Sequence, residues 1–259
     1  MAKDILVVED ESMVTQAVVM ICSDEGMAVA AVDNATDALR QLAGNGFRLV
    51  LCDIMMQGLD GFQFLEELDR RHLQVPVVMM TGYSTVENAV KSLSMGAIDY
   101  IPKPFTADEL LAVIRRSRRG GALLQEAESA GLPRDGSMKF VPCPDDYYRL
   151  GYVSWAQMED EGTARIGVSD LFLKAADGIA KLELGEPGDD LVQGIPCAVA
   201  ISPDGAKHEI MCPLSGKILE VNADAQNHAS LVEKDPYFKG WLYRILPSDP
   251  EANLQWLSL

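Results

Sequence analysis

The chain of 259 residues is long enough for two hydrophobic cores, and 48% apolar with 24% charged residues is the composition of a folded protein, which excludes disorder. Asp and Glu outnumber Lys and Arg by 39 to 22, giving a net charge of −17 spread over both halves, and this speaks against a broad nucleic-acid footprint. Cys22, Cys52, Cys143, Cys197 and Cys212 form no CxxC pair and the chain has 3 histidines, so no zinc site is expected; the start "MAKDILVVEDE" has no signal-peptide or membrane-span character, and we expect reduced thiols, a cytoplasmic location and no membrane partner.

Along residues 4–116 short apolar runs alternate with helical patterns. "DILVVED", "AVAAVD", "FRLVLCDI", "VPVVMMTG" and "AIDYIPKP" read as strands. Between and after them "SMVTQAVVMICSDEG", with Ser12 as candidate cap and Gly26 as stop, "NATDALRQLAGNG", "DGFQFLEELDRR", "TVENAVKSLSMG" and "TADELLAVIRRSRR" read as helices. The pattern is (βα)5, an α/β doubly wound parallel sheet with helices on both faces. The basic group Arg115, Arg116, Arg118 and Arg119 falls at the expected end of the last helix, where cations suit the macrodipole.

Ligands of such sheets bind beyond the carboxyl ends of the strands. Those ends carry Glu9 and Asp10 (first strand), Asp53 (third), Thr81 (fourth) and Lys103 (fifth). Converging carboxylates repel unless a hard divalent ion, Mg2+ by its preference for oxygen, neutralises them. An Asp there can accept a phosphoryl group, with Thr81 and Lys103 holding the transferred oxygens.

On "ILVVEDE", "LVLCDIMMQGLDGFQFL", "VVMMTGY" and "GAIDYIPKPF", residues 1–119 resemble a two-component response-regulator receiver domain of the CheY-like type. The resemblance implies Asp53 as phosphoacceptor; Glu9, Asp10, Asp53 and the Met55 backbone carbonyl as Mg2+ ligands; Thr81 and Lys103 as catalytic and switch groups; Tyr100 as switch aromatic; and a cis peptide at Pro104. The family's proline four residues past the Asp is Gln57 here. A sensor histidine kinase is the implied phosphodonor, and a phosphorylation-dependent dimer is a candidate state.

Residues 120–137 read as a Gly-bracketed linker helix. No helix-turn-helix follows. Residues 138–259 hold "YYRLGYVSWAQMEDEGTARIGVSDLF", "IAKLEL", "CAVAISPDG", "KHEIMCPLSGKILEVN" and "GWLYRIL", short β runs broken by Gly, Pro and Asp, which predict a small β sandwich or barrel. "EGTARIGVSDLF", "AKLELGEPGDDLVQGIPCAVAI", "PLSGKILEVN" and "DPYFKGWLYRILPSDP", in that order, resemble the glycine-cleavage H-protein, a lipoyl carrier.

The resemblance puts the carrier lysine eight residues before the Pro of "PLSG", Pro213, where this chain has Gly205, and puts Ser202 where the family has an acid. The apex is instead "SPDG", a turn sequence. Lys207 lies two residues on, about 7 Å along the strand, and Lys217 lies inside the exit strand. Lipoate is therefore not expected, and the reading is a non-enzymatic response regulator whose H-protein-like output domain binds a protein. Candidate partners are enzymes of glycine cleavage or of lipoate attachment and use, or an unrelated protein; the alternative is a phosphorylation-gated lipoyl carrier modified at Lys207.

Overall fold

Runs of four or five apolar residues are long enough for buried strands and too short for buried helices. The computed structural model describes residues 4–44, 46–82, 85–130 and 139–259. Its first half alternates β1 (Ile5–Val8), α1 (Ser12–Asp24), β2 (Val29–Val32), α2 (Ala35–Gly44), β3 (Leu49–Asp53), α3 (Gly61–Arg70), β4 (Val77–Thr81), α4 (Val86–Ser94), β5 (Asp99–Pro102) and α5 (Ala107–Ala130). The five strands form one parallel sheet in the order β2-β1-β3-β4-β5. Every residue of β1, β3 and β4 is buried, as a sheet covered on both faces requires. The strand order reverses between β1 and β3, and that opens a crevice beyond their carboxyl ends.

Local chemistry sets the helix ends. Asp60 and Gln63 form a capping box on α3, Thr85 caps α4, and Thr106 and Glu109 exchange side chain to backbone bonds ahead of α5. Ser12 is not a cap: Glu11 occupies that position without a side-chain bond, and Gly26 closes α1 with φ +73° as expected.

The break expected at Gly120–Gly121 is absent, because α5 runs through both glycines to Ala130. A Cβ on Gly121 would sit 2.6 Å from Pro76 Cγ and one on Gly120 3.1 Å from Ile98 Cδ1, so these glycines serve close packing of helix on sheet. The rest of the expected linker lies outside the described residues. The arginine cluster is consequently mid-helix and not at a helix end. Each member meets a carboxylate: Arg115 with Glu25 (2.6 Å), Arg116 with Asp99 (2.7 Å), Arg118 with Asp4 (3.3 Å) and Arg119 with Asp177 (2.9 Å).

The second half contains β6 (Tyr148–Leu150), β7 (Ser154–Met158), β8 (Ala164–Val168), α6 (Asp170–Ala175), β9 (Lys181–Leu184), β10 (Asp190–Leu191), β11 (Pro196–Ile201), β12 (Lys207–Met211), β13 (Gly216–Val221), α7 (Ala223–Asn227), α8 (Ala229–Lys234), β14 (Tyr243–Pro247) and α9 (Pro250–Leu254). Two antiparallel sheets result, β10-β13-β14-β8-β7-β6 and β12-β11-β9. Cross-sheet hydrogen bonds tie them: Tyr243 Oη donates to the Cys197 carbonyl at 2.7 Å and Ser154 Oγ to the Met211 carbonyl at 2.6 Å. Both hydroxyls are buried and would be costly without these partners.

The β unit sits against α4, β5 and α5. Leu93 of α4 shares an apolar cluster with Leu150 and Val153, and α5 packs on α6 and along β12, the outer strand of the smaller sheet. A helix over an edge strand hides its unpaired backbone groups. The approach is close at Gly194, whose φ is +77° and whose Cβ would meet Val90 Cγ2 at 2.5 Å. Gly194→Val is expected to cost about 2 kcal/mol through strain and overpacking. Hydrogen exchange should show the loss in α4 while the β1–β3 amides stay protected; unchanged α4 protection would contradict this packing.

Candidate functional site

Strand ends in a parallel sheet bring sequence-distant groups to one edge. Glu9 follows β1 and is buried, Asp10 is exposed beside it, and Asp53 ends β3 buried at 3% exposure. One oxygen from each lies within 4.8 Å of the other two. Lys103, just past β5, holds Glu9 at 2.5 Å and stands 3.2 Å from Asp53 Oδ1. Beyond that ion pair, the buried Oδ1 accepts no hydrogen bond among the described residues and keeps acceptor capacity.

Three carboxylates against one ammonium leave a surplus of two negative charges. Burial pushes the Asp53 carboxyl up, opposed by Lys103. Burial, and to a smaller extent the Asp53 charge, likewise push Glu9 up against the pull of Lys103. A group of hard oxygen donors with that surplus fits one divalent cation of the Mg2+ type. Met55 directs its backbone N–H toward Asp53. Thr81 is fully buried at the end of β4, and its carbonyl accepts the Lys103 N–H at 2.7 Å. The Lys103–Pro104 peptide is cis. Gln57, the departure from the family proline, donates its N–H toward Asp10 Oδ2 at 3.4 Å.

Tyr100, on β5, is buried at 6% exposure and faces the contact with the β unit. In that contact lies a cluster the sequence reading missed. The Arg116 guanidinium is buried, pairs with Asp99 at 2.7 Å, approaches His208 Nδ1 of β12 at 2.7 Å and stacks on Phe172 of α6 at 4.7 Å. His208 Nε2 lies 3.3 Å from Ser202 Oγ. Burial first, then the Arg116 charge, lower the His208 pKa to about 4, so the ring is neutral at pH 7 and accepts from Arg116 through Nδ1. One signal was available: His208 alternates with Ile210 on the inward parity of β12, so a partnered histidine was due there.

At the hairpin apex the Gly205 N–H donates to the Ser202 carbonyl at 2.9 Å, and Gly205 has φ +86°. This is the turn read from "SPDG". Ser202 is buried and its hydroxyl donates to Asp204 Oδ1 within the turn, which makes it no equivalent of a surface acid. Lys207 is exposed at the start of β12 and borders a cavity facing the first unit. Lys217 pairs with Asp190 at 3.0 Å.

A family profile for the response regulator receiver domain matches residues 5–115, and one for the glycine cleavage H-protein matches residues 147–258. The chain joins a receiver domain to a glycine cleavage H-protein domain. Residues of the receiver are 40% identical over 119 residues to the nitrogen assimilation regulatory protein NtrX of Azorhizobium caulinodans, a match covering 45% of this chain and 26% of that protein. They are 38% identical over 115 residues to the uncharacterized transcriptional regulatory protein YkoG of Bacillus subtilis, covering 44% of this chain and 50% of that one. Among solved structures, the NtrX receiver domain of Brucella abortus is 42% identical with a TM-score of 0.43, covering 44% of this chain and 98% of that one. A glycine cleavage H protein of Mycobacterium marinum is 27% identical with a TM-score of 0.38, covering 40% and 86%. The chain thus spans half or less of the length of these curated relatives. Among the described residues no helix is long and apolar enough to cross a membrane.

Raised carboxyl pKa values carry a sign. The native state of the metal-free receiver keeps protons that the unfolded chain gives up, so stability falls as pH rises through and above the ordinary carboxyl range. Mg2+ at neutral pH is expected to reverse that loss, raising Tm by about 3 °C or more at saturation. Asp53→Asn should flatten both the pH dependence and the Mg2+ response in thermal unfolding; an unchanged Mg2+ response would exclude this cluster as the cation site.

Proposed function

We propose that this chain is the response regulator of a two-component phosphorelay, phosphorylated on Asp53, and that its H-protein domain is an unlipoylated output module acting by protein contact. Asp53 is the phosphoacceptor, and Glu9, Asp10, Asp53 and the Met55 carbonyl hold Mg2+, which supplies charge neutralisation when bound. A carboxylate oxygen of Asp53 forms a bond to phosphorus while the P–N bond to a kinase histidine breaks, and the leaving imidazole keeps the nitrogen electron pair. Lys103 and Thr81 hold the transferred oxygens. The domains run over 1–119 and 138–259, joined by 120–137.

The observation that carries the output reading is the Arg116 cluster. It fastens β12 and α6 of the H-protein domain to β5 and α5, so β12 of the hairpin lies against the receiver in this state. β5 links it to the reacting edge, since Asp99, Tyr100 and Lys103 fall within five residues. Drawing Lys103 and Thr81 toward a phosphoryl group shifts this strand and favours release of the H-protein domain. A nearly complete switch between the two states needs about 5.5 kcal/mol of differential interaction. Gly205 at the apex, and Lys207 turned toward the receiver, support a silent domain over a carrier; a lipoyl adduct on Lys207 in intact mass would overturn that part.

A small phosphodonor with Mg2+ is expected to label the wild type, and Asp53→Asn to abolish the label; persistent stoichiometric label elsewhere would sink the assignment. Arg116→Met leaves Asp99 as an unpaired buried charge and is expected to weaken docking by about 3–5 kcal/mol. Small-angle scattering should then show an extended particle without phosphorylation, resembling the phosphorylated wild type.

Docking also depends on pH. His208 faces Arg116, Arg119, Asp204 and Ser202, and its folded pKa of about 4 lies below the ordinary histidine value of 6.5. Its contribution is therefore present above pH 6.5 and is lost as pH falls toward 4. His208→Gln is expected to flatten that part of the docking profile; an identical profile would remove His208 from the contact.

A further inference from the structure

The contact between the two domains borders a partly open cavity of about 390 Å³. Pockets of roughly 300–1,000 Å³ at domain interfaces are the usual setting for small organic ligands. Tyr100, Pro104 and Val113 line it from the receiver, and Val199 and Met211 from the H-protein domain.

Its charged groups come from both sides. Lys207, Glu209 and Met211 alternate along β12 and so share a face, and Val199 is the register partner of Glu209 on β11. Glu109 and Arg116 of α5 stand across from them, and the Arg116 charge is matched by its pair with Asp99. The Lys207 ammonium makes no side-chain hydrogen bond or close ion pair among the described residues, although its charge reaches Glu183 two strands away on the same face and helps hold that carboxyl down. Glu209 is open to solvent along one edge, yet the protein crowding it, and then the Glu109 charge, push its carboxyl up. Glu109 spends one carboxylate oxygen on the Thr106 N–H.

An anion alone would satisfy Lys207 and meet repulsion from Glu109 and Glu209. A cation alone would satisfy the carboxylates and meet Lys207. A molecule with both charges on a short apolar body answers all three. We propose that this cavity binds a small zwitterion of the α-amino acid class, its carboxylate on Lys207, its ammonium on Glu209, and its side chain between Val113 and Val199. The site goes beyond the phosphorelay reading and rests only on the docked arrangement of the domains. Because the cavity exists only when the domains are docked, the ligand stabilises docking, and docking strengthens ligand binding by the same factor.

The test is calorimetric titration of the full chain with each common α-amino acid, and with the amine and the carboxylic acid that correspond to the best binder. One zwitterion is expected to bind, with the amine and the acid each weaker by about tenfold or more. Lys207→Gln and Glu209→Gln should each lose about tenfold in affinity. Scattering from the same samples reports docking, and phosphodonor labelling of Asp53 reports the phosphorelay reading separately. The proposal is overturned by no heat from any amino acid at millimolar concentration, by an amine or acid that binds as well as the zwitterion, by binding that survives both substitutions, or by a wild-type chain whose domains are undocked.

Discussion

A guanidinium between two domains cannot be left without partners, because removing it from water costs several kcal/mol. Arg116 meets that demand from both sides of the contact: Asp99 belongs to the receiver, His208 and Phe172 to the H-protein domain. The arrangement of the domains follows from it. β12 lies along α5, α6 packs on the same helix, and the hairpin that would present a carrier lysine in an H-protein has its side face turned to the receiver. The histidine must be neutral to accept from a cation, and its burial beside that cation keeps it so.

The opposite demand governs the carboxylate cluster at the strand ends. Here the charges are in surplus, two more negative than positive, and the structure tolerates this by burying Glu9 and Asp53 around Lys103 while Asp10 stays in water. A cluster of this kind is poised to gain a cation. The arginine contact, by contrast, is satisfied and stands to lose by change. β5 carries parts of both, Asp99 at its start and Lys103 just past its end, with Tyr100 between them against the second domain.

The H-protein domain is held together by buried polar side chains. Tyr243, Ser154 and Trp155 make buried hydrogen bonds that hold the sheets. The apex is a tight turn with glycine at positive φ, three residues after a buried serine.

The sequence by itself determined the elements and which groups gather at the carboxyl edge of the sheet. Runs such as "LVLCD" and "VVMMT" are too apolar and too short for anything but strands of a covered sheet, and in a parallel sheet the residue after each strand lands on one edge, so Glu9, Asp53, Thr81 and Lys103 could be gathered without coordinates. The "SPDG" turn was equally legible, because its geometry is local. Only the tertiary structure decided the rest. Gly120 and Gly121 look like a helix break, yet Pro76 and Ile98, distant in sequence, require glycine inside a continuous helix. Arg116 looks like its neighbours in a basic cluster, yet helical rotation turns it inward while Arg115 and Arg119 face outward. No local pattern tells which carboxylate an arginine will meet, since the partners come from other elements and from another domain. The meeting of Asp99 with Arg116 and His208 is a property of how the two domains close on each other, and that depends on the shape of both surfaces at once.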